Sequence, residues 1–244
     1  MATQTVVHTQ PRPGSPGLLA GGLSLTARFL VWLLLSLLVS ILIEWAGMGF
    51  GWWSSDDHAR TMLERELNYL DRDFATSLIS TSPMAFARSL VESGQYWLFE
   101  ASGLIRLRDW LAAPVTADDH NIRLTLRAVY LPLGDYLAAA MAITQLFLVR
   151  LAILTLASPV FLLAGLVALV DGLGQRDVRR WSGGRESSFL YHHAKATLVP
   201  LLTGAWVVYL ALPVSVHPNG VILPFAALFG LAMAVTTASF KKYL

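Results

Sequence analysis

The sequence predicts an all-α polytopic membrane protein with four transmembrane helices and a helical extracytoplasmic domain between the first and second. Three observations predict it. Of the 244 residues, 55% are hydrophobic and only 14% charged, against about 25% charged in an average soluble domain. The apolar residues gather into a few long runs, and the mean hydropathy is +0.55. Between the first two runs, apolar positions recur at helical spacing. The chain has no cysteine, which excludes disulfides, thiolate metal sites and cysteine nucleophiles together. A net charge of +2 is too small to indicate a nucleic-acid binder.

Residues 1–27 contain Pro11, Pro13, Gly14, Pro16 and Gly17 and no apolar period, the pattern of a disordered tail. The first span is expected over 28–50. Its apolar run, Phe29 to Ile43, is broken only by Ser36 and Ser40. A helix needs roughly 20 residues to cross about 30 Å of hydrocarbon. The run is long for a signal peptide, and Glu44-Trp45-Ala46 stands in place of a small-x-small cleavage site, so an uncleaved anchor is expected.

Residues 54–135 read as the extracytoplasmic domain. Ser54-Ser55-Asp56-Asp57 forms a capping cluster that also puts acids on a first helical turn. Behind it, Met62, Leu63, Leu67, Leu70, Phe74 and Leu78 keep helical spacing. Ser82-Pro83 opens a second helix with proline at its first position, carrying Phe86, Leu90, Trp97, Leu98, Ile105 and Trp110, with Gly94 and Gly103 as weak points. Asp118 or Asp119 caps a third helix, through Leu124, Leu126 and Tyr130, that runs towards the membrane with a kink at Leu131-Pro132-Leu133-Gly134.

Residues 136–170 are interrupted only by Arg150 and Pro159. Thirty-five residues make a helix about 52 Å long, so 151–170 is expected in lipid and the earlier part outside it, covered by protein. No turn residues surround Arg150, which disfavours two short spans. The third span, 197–212, and the fourth, 221–240, flank a turn with two prolines and Asn219-Gly220, a helical hairpin.

Lys and Arg in short flanks orient the spans. Arg12 and Arg28, five basic residues in 171–196, and Lys241-Lys242 fall on one side. Residues 54–135 hold eight Arg against twelve Asp and Glu, a net of −4. Both termini are therefore expected in the cytoplasm, with 54–135 outside.

Helices in lipid associate through small residues and polar links. Ala226, Gly230, Ala234 and Ala238 form one such stripe, and Ala164, Ala168 and Gly172 another. They serve either a homo-oligomer or packing within the bundle, which needs such seams in any case. Ser36, Ser40 and Glu44 stand four apart, and Arg150 is the other charge embedded among apolar runs. Counted from the cytoplasmic ends, Glu44 lies about 24 Å up and Arg150 about 31 Å up, which predicts an intramembrane ion pair between them. The rival reading lines a transporter or channel path with Ser36, Ser40, Glu44 and Arg150, against which stands the absence of an inverted repeat.

The basic cytoplasmic loop, 171–196, holds four glycines, five basic residues and His192-His193. No phosphate loop and no His-Glu-x-x-His zinc site occurs, and adjacent histidines point about 100° apart on a helix. Gly172-Leu173-Gly174 departs from the intramembrane aspartyl protease signature at Gln175. No catalytic residue, metal or cofactor is expected, and no direct nucleic-acid binding. Arg176, Arg179, Arg180 and Arg185 beside Trp181 suit anionic headgroups. The glycines and the Arg185-Glu186 pair suit a defined docking surface for a cytoplasmic partner.

At this stretch the chain resembles the inner-membrane proteins of integrating conjugative elements, a family defined by a domain of unknown function. The residues that carry the resemblance are Asp171-Gly172-Leu173, Gln175-Arg176-Asp177, Arg179-Arg180, Gly183-Gly184-Arg185-Glu186-Ser187-Ser188-Phe189 and Tyr191-His192-His193-Ala194-Lys195, with Pro200 in the following span. The four-span plan matches across about residues 25–240. The resemblance implies a bacterial inner-membrane protein, a structural or assembly subunit beside a conjugative type IV secretion apparatus, among its membrane proteins and near its coupling ATPase. It implies no enzymatic residues. Conjugation comes from the resemblance alone.

Overall fold

The computed structural model describes residues 18–53, 57–73, 79, 82–114, 121–182 and 188–240. They form seven α-helices: α1 Leu18–Gly49, α2 Asp57–Asp73, α3 Pro83–Gln95, α4 Leu104–Ala112, α5 Asn121–Ser182, α6 Ser188–Ala211 and α7 Pro218–Ala238. A π-helical turn, Tyr96–Glu100, joins α3 to Gly103, whose φ of +77° ends one helix and starts the next. No strand occurs among the described residues. The expected caps at Ser54–Asp56 and Asp118-Asp119, the apolar positions Phe74 and Leu78, the tail 1–17 and Lys241-Lys242 lie outside the described residues.

Among the described residues four helices are long and apolar enough to cross a membrane: Thr26–Gly49, Asn121–Ser182, Phe189–Ala211 and Pro218–Ala238. Residues 1–35 and residues 36–244 form two units. In the first, α1 presents Leu30, Val31, Trp32 and Leu34 on its surface, as a lipid-facing helix does.

In the second unit α5 is the axis. The expected separation into a third extracytoplasmic helix, a long helix over 136–170 and a loop over 171–196 is corrected: all of Asn121–Ser182 is one 62-residue helix. Pro132 and Pro159 sit inside it. A proline removes one hydrogen bond and costs about 3 kcal/mol in a helix interior, and helices packed along most of α5 hold it against that. Arg123 Nη2 donates to the carbonyls of Trp110 (3.0 Å) and Ala113 (3.2 Å). Arg127 Nη1 donates to Leu111 and Ala113. Two consecutive turns of α5 thereby cap the carbonyl end of α4 with positive charge, the arrangement the helix dipole favours.

Three seams position the rest. Leu37 and Ile41 of α1 and Leu63 of α2 pack on a core of Ala59, Met62, Ala142, Ile143 and Leu146. Gly94 of α3 lies against Leu148 so closely that a Cβ would enter its side chain. Gly94 is therefore a packing point, and α3 continues past it. The small-residue stripes of α5 and α7 face each other: Gly230 meets the Ala164 carbonyl, and Gly172 meets Ala234 and Thr237. Both stripes are used inside the chain. α6 closes the hairpin antiparallel to α7, with Phe225 on Gly204 and Tyr191 against Phe240. Pro218 opens α7, and His217 caps it by accepting the Asn219 N–H (3.2 Å).

Candidate functional site

α2 is amphipathic, and Ala59, Met62, Glu66 and Leu70 share its buried stripe. A carboxylate at such a position needs partners, because an unpaired buried charge is expensive. Glu66 is 0% exposed and meets four donors, one of them the Ser215 hydroxyl 3.5 Å from Oε1. Arg150 Nε and Nη2 donate to its Oε1 at 3.2 and 3.0 Å, and the Tyr209 hydroxyl donates to Oε2 at 2.5 Å. Arg150, 1% exposed, spends its other N–H groups on the turn between α6 and α7. Nη1 donates to the Leu212 carbonyl (2.7 Å) and Nη2 to that of Val214 (2.9 Å). Its guanidinium also lies over the Tyr209 ring, 5.4 Å from the centroid. One buried cluster thus ties α2, α5, α6 and the α6–α7 turn together.

The expected Glu44–Arg150 ion pair is corrected. Glu44 is buried (1% exposed) but accepts from His58 Nδ1 at 3.0 and 3.2 Å, and it takes the backbone N–H of Ala59. A carboxylate at the end of α1 therefore caps the start of α2. Register explains the change of partner. Ile41 packs on the cluster that Ala142, Ile143 and Leu146 form with Ala59 and Met62, and Trp45 Nε1 donates to the Tyr136 carbonyl (2.8 Å). Glu44 lies between them in sequence, so at 1.5 Å per residue it stands about 15–20 Å along α5 from Arg150. Counting heights from the ends of two straight spans missed that offset. Ser36 and Ser40 are buried on the same α1 stripe, and Ser36 Oγ reaches the Val207 carbonyl (3.5 Å). Ser36, Ser40 and Glu44 share one stripe of α1, and Arg150 belongs to the other cluster.

At the opposite end of the bundle, the segment expected as a loop over 171–196 is helical on both sides of residues 183–187. Arg176, Arg179 and Arg180 stand on the last turns of α5, where positive charge complements the free carbonyls. Arg176 lies over the Phe240 ring (5.7 Å), which ties the helix end to the close of α7. Arg180 makes a loose i,i+3 pair with Asp177 (3.9 Å), and Gln175 Nε2 donates to Asp171 (2.7 Å). Val178 is 69% and Trp181 92% exposed. Arg185 and Glu186 lie outside the described residues. His192 and His193 do not converge: His193 Nδ1 pairs with the Phe189 carbonyl (2.9 Å), while His192 stands edge-on to Tyr191.

A family model described as DtrJ-like, IncC plasmid conjugative DNA transfer protein, matches residues 52–241, which takes in α2 through α7. No curated protein and no solved structure matches the chain.

Proposed function

Because the chain belongs to the DtrJ-like family of IncC plasmid conjugative DNA transfer proteins, we propose that it is a non-enzymatic inner-membrane subunit or assembly factor of a type IV secretion-like DNA-transfer apparatus. Its termini face the cytoplasm and residues 54–135 face the periplasm. It docks a cytoplasmic partner, the coupling ATPase being first among the components near it, through the surface around Arg176, Arg179, Arg180, Arg185 and Glu186.

The observation that carries the role is the family match across residues 52–241. One feature supports the docking. α5 runs ten residues past Gly172, the last of its small seam residues, and ends in three arginines with an almost fully exposed tryptophan. Arginine and tryptophan are the side chains that dominate interface energetics. At the other end, Trp97 (71%), Ile122 (66%) and Val129 (57%) are exposed on α5 and the π-helical turn, apolar surface suited to envelope components of the apparatus.

The test is charge reversal. Arg179→Glu with Arg180→Glu should lower conjugative transfer at least tenfold, about 1.4 kcal/mol of lost contact, while membrane insertion and protein level stay unchanged. Normal transfer by the double variant would remove this surface from the function.

A further inference from the structure

Beside the buried cluster lies a cavity of about 380 Å³, bounded by α2, Trp53 and the α6–α7 turn. We propose that it is a headgroup site for an aminophospholipid, a phosphodiester that carries a primary ammonium. The proposal rests on the same four-span reading as the proposed function, but not on the role in DNA transfer.

Its position is the first argument. α1 ends at Gly49 and α7 begins at Pro218, so the cavity lies where spans leave the hydrocarbon. Phe50 and Trp52 are 74% and 69% exposed and stacked at 5.5 Å, an aromatic pair of the kind that sits at headgroup level.

The lining is the second. α2 contributes Asp57, Thr61 and Arg65 to the wall, spaced four apart and so on one helix face. The other charges nearby are committed, Glu44 to His58 and Glu66 to Arg150. Asp57 and Arg65 form no ion pair among the described residues. They are one negative and one positive group at the two ends of the same wall, and side chains on a helix lean towards its N-terminus, which brings the guanidinium back towards Asp57. A zwitterion with phosphate at Arg65 and ammonium at Asp57 satisfies both. An anionic glycerol headgroup leaves Asp57 unmatched, and a choline offers it no N–H.

Trp53 is the third. Its indole is held flat between the His58 ring (4.1 Å, 13°) and Gly47, where a Cβ would collide with the ring. So fixed, its Nε1 is buried with no hydrogen-bond partner among the described residues. The fixed indole forms one wall of the cavity.

The experiment reads lipid retention by native mass spectrometry. Full-length protein is taken from nanodiscs of phosphatidylethanolamine, phosphatidylglycerol or phosphatidylcholine. Phosphatidylethanolamine should be retained at one per chain, about fivefold over the other two, roughly 1 kcal/mol of selectivity. Arg65→Gln should abolish that retention, and Asp57→Asn should erase the preference over phosphatidylcholine. Neither soluble glycerophosphoethanolamine nor inorganic phosphate should displace the lipid. Equal retention of the three lipids, indifference to Arg65→Gln, or displacement by the soluble phosphates overturns the site and leaves the role in transfer standing.

Discussion

At the scale of single residues, Glu66 and Arg150 hold the most consequential contact in the molecule. Arg150 stands out in the sequence because it is a charge set deep in an apolar run. Glu66 does not, since it is one of twelve acids in 54–135. A readable signal was there all the same: Glu66 falls on the stripe of Ala59, Met62 and Leu70, where an amphipathic helix should carry an apolar side chain. Removing one member strands the other, so Arg150→Met or Glu66→Leu alone should destabilise by about 3–5 kcal/mol. Combining the two should recover most of that loss. Chemical unfolding in detergent, read as a double-mutant difference, checks it. Additive losses would mean that the two side chains do not act as a pair.

Among elements, α5 joins regions that the sequence divides. Pro132-Leu133-Gly134 reads locally as a kink. The helix continues through it because both sides are held, Arg123 and Arg127 to α4 before it and Tyr136 to Trp45 after it, none of which a local pattern contains. The seam between α5 and α7 is the opposite case. Small residues at every fourth position announce a close approach, and the structure uses both stripes on each other. The two glycines of that seam should respond differently to a methyl group. At Gly172 a Cβ would lie 2.6 Å from the Ala234 carbonyl oxygen, so Gly172→Ala must push the helices apart, at about 1–3 kcal/mol. At Gly230 the nearest atom is 3.4 Å away, ordinary contact, and Gly230→Ala should leave stability within about 0.5 kcal/mol of wild type. Thermal unfolding of the two variants side by side decides it.

Across the whole molecule, the placement of charge drives the proposed topology, and a fusion series tests it. Alkaline phosphatase joined after residue 114 should be active, since it requires the periplasm. The same enzyme joined after residue 182 should be inactive, and a fluorescent protein fused to the C-terminus should be bright. An inactive fusion at 114 with an active one at 182 would invert the protein and move the arginine surface away from any cytoplasmic partner.

Four helices long and apolar enough to cross a membrane, the proline start of α3 and the small-residue seam are legible in the sequence. Each depends on residues close together along the chain: an apolar run long enough for a bilayer, or a side chain repeated at helical spacing. The partners of the buried charges come from tertiary packing instead. Glu66 and Arg150 are 84 residues apart, and Tyr209 is 143 from Glu66. Their meeting depends on how far α1 and α2 slide along α5. That offset comes from side-chain packing around Ala142, Ile143 and Leu146, because hydropathy has no preference for one longitudinal register over another. Glu44 was recognisable as an ionisable group that must be paired, and only the register of three packed helices made its partner His58.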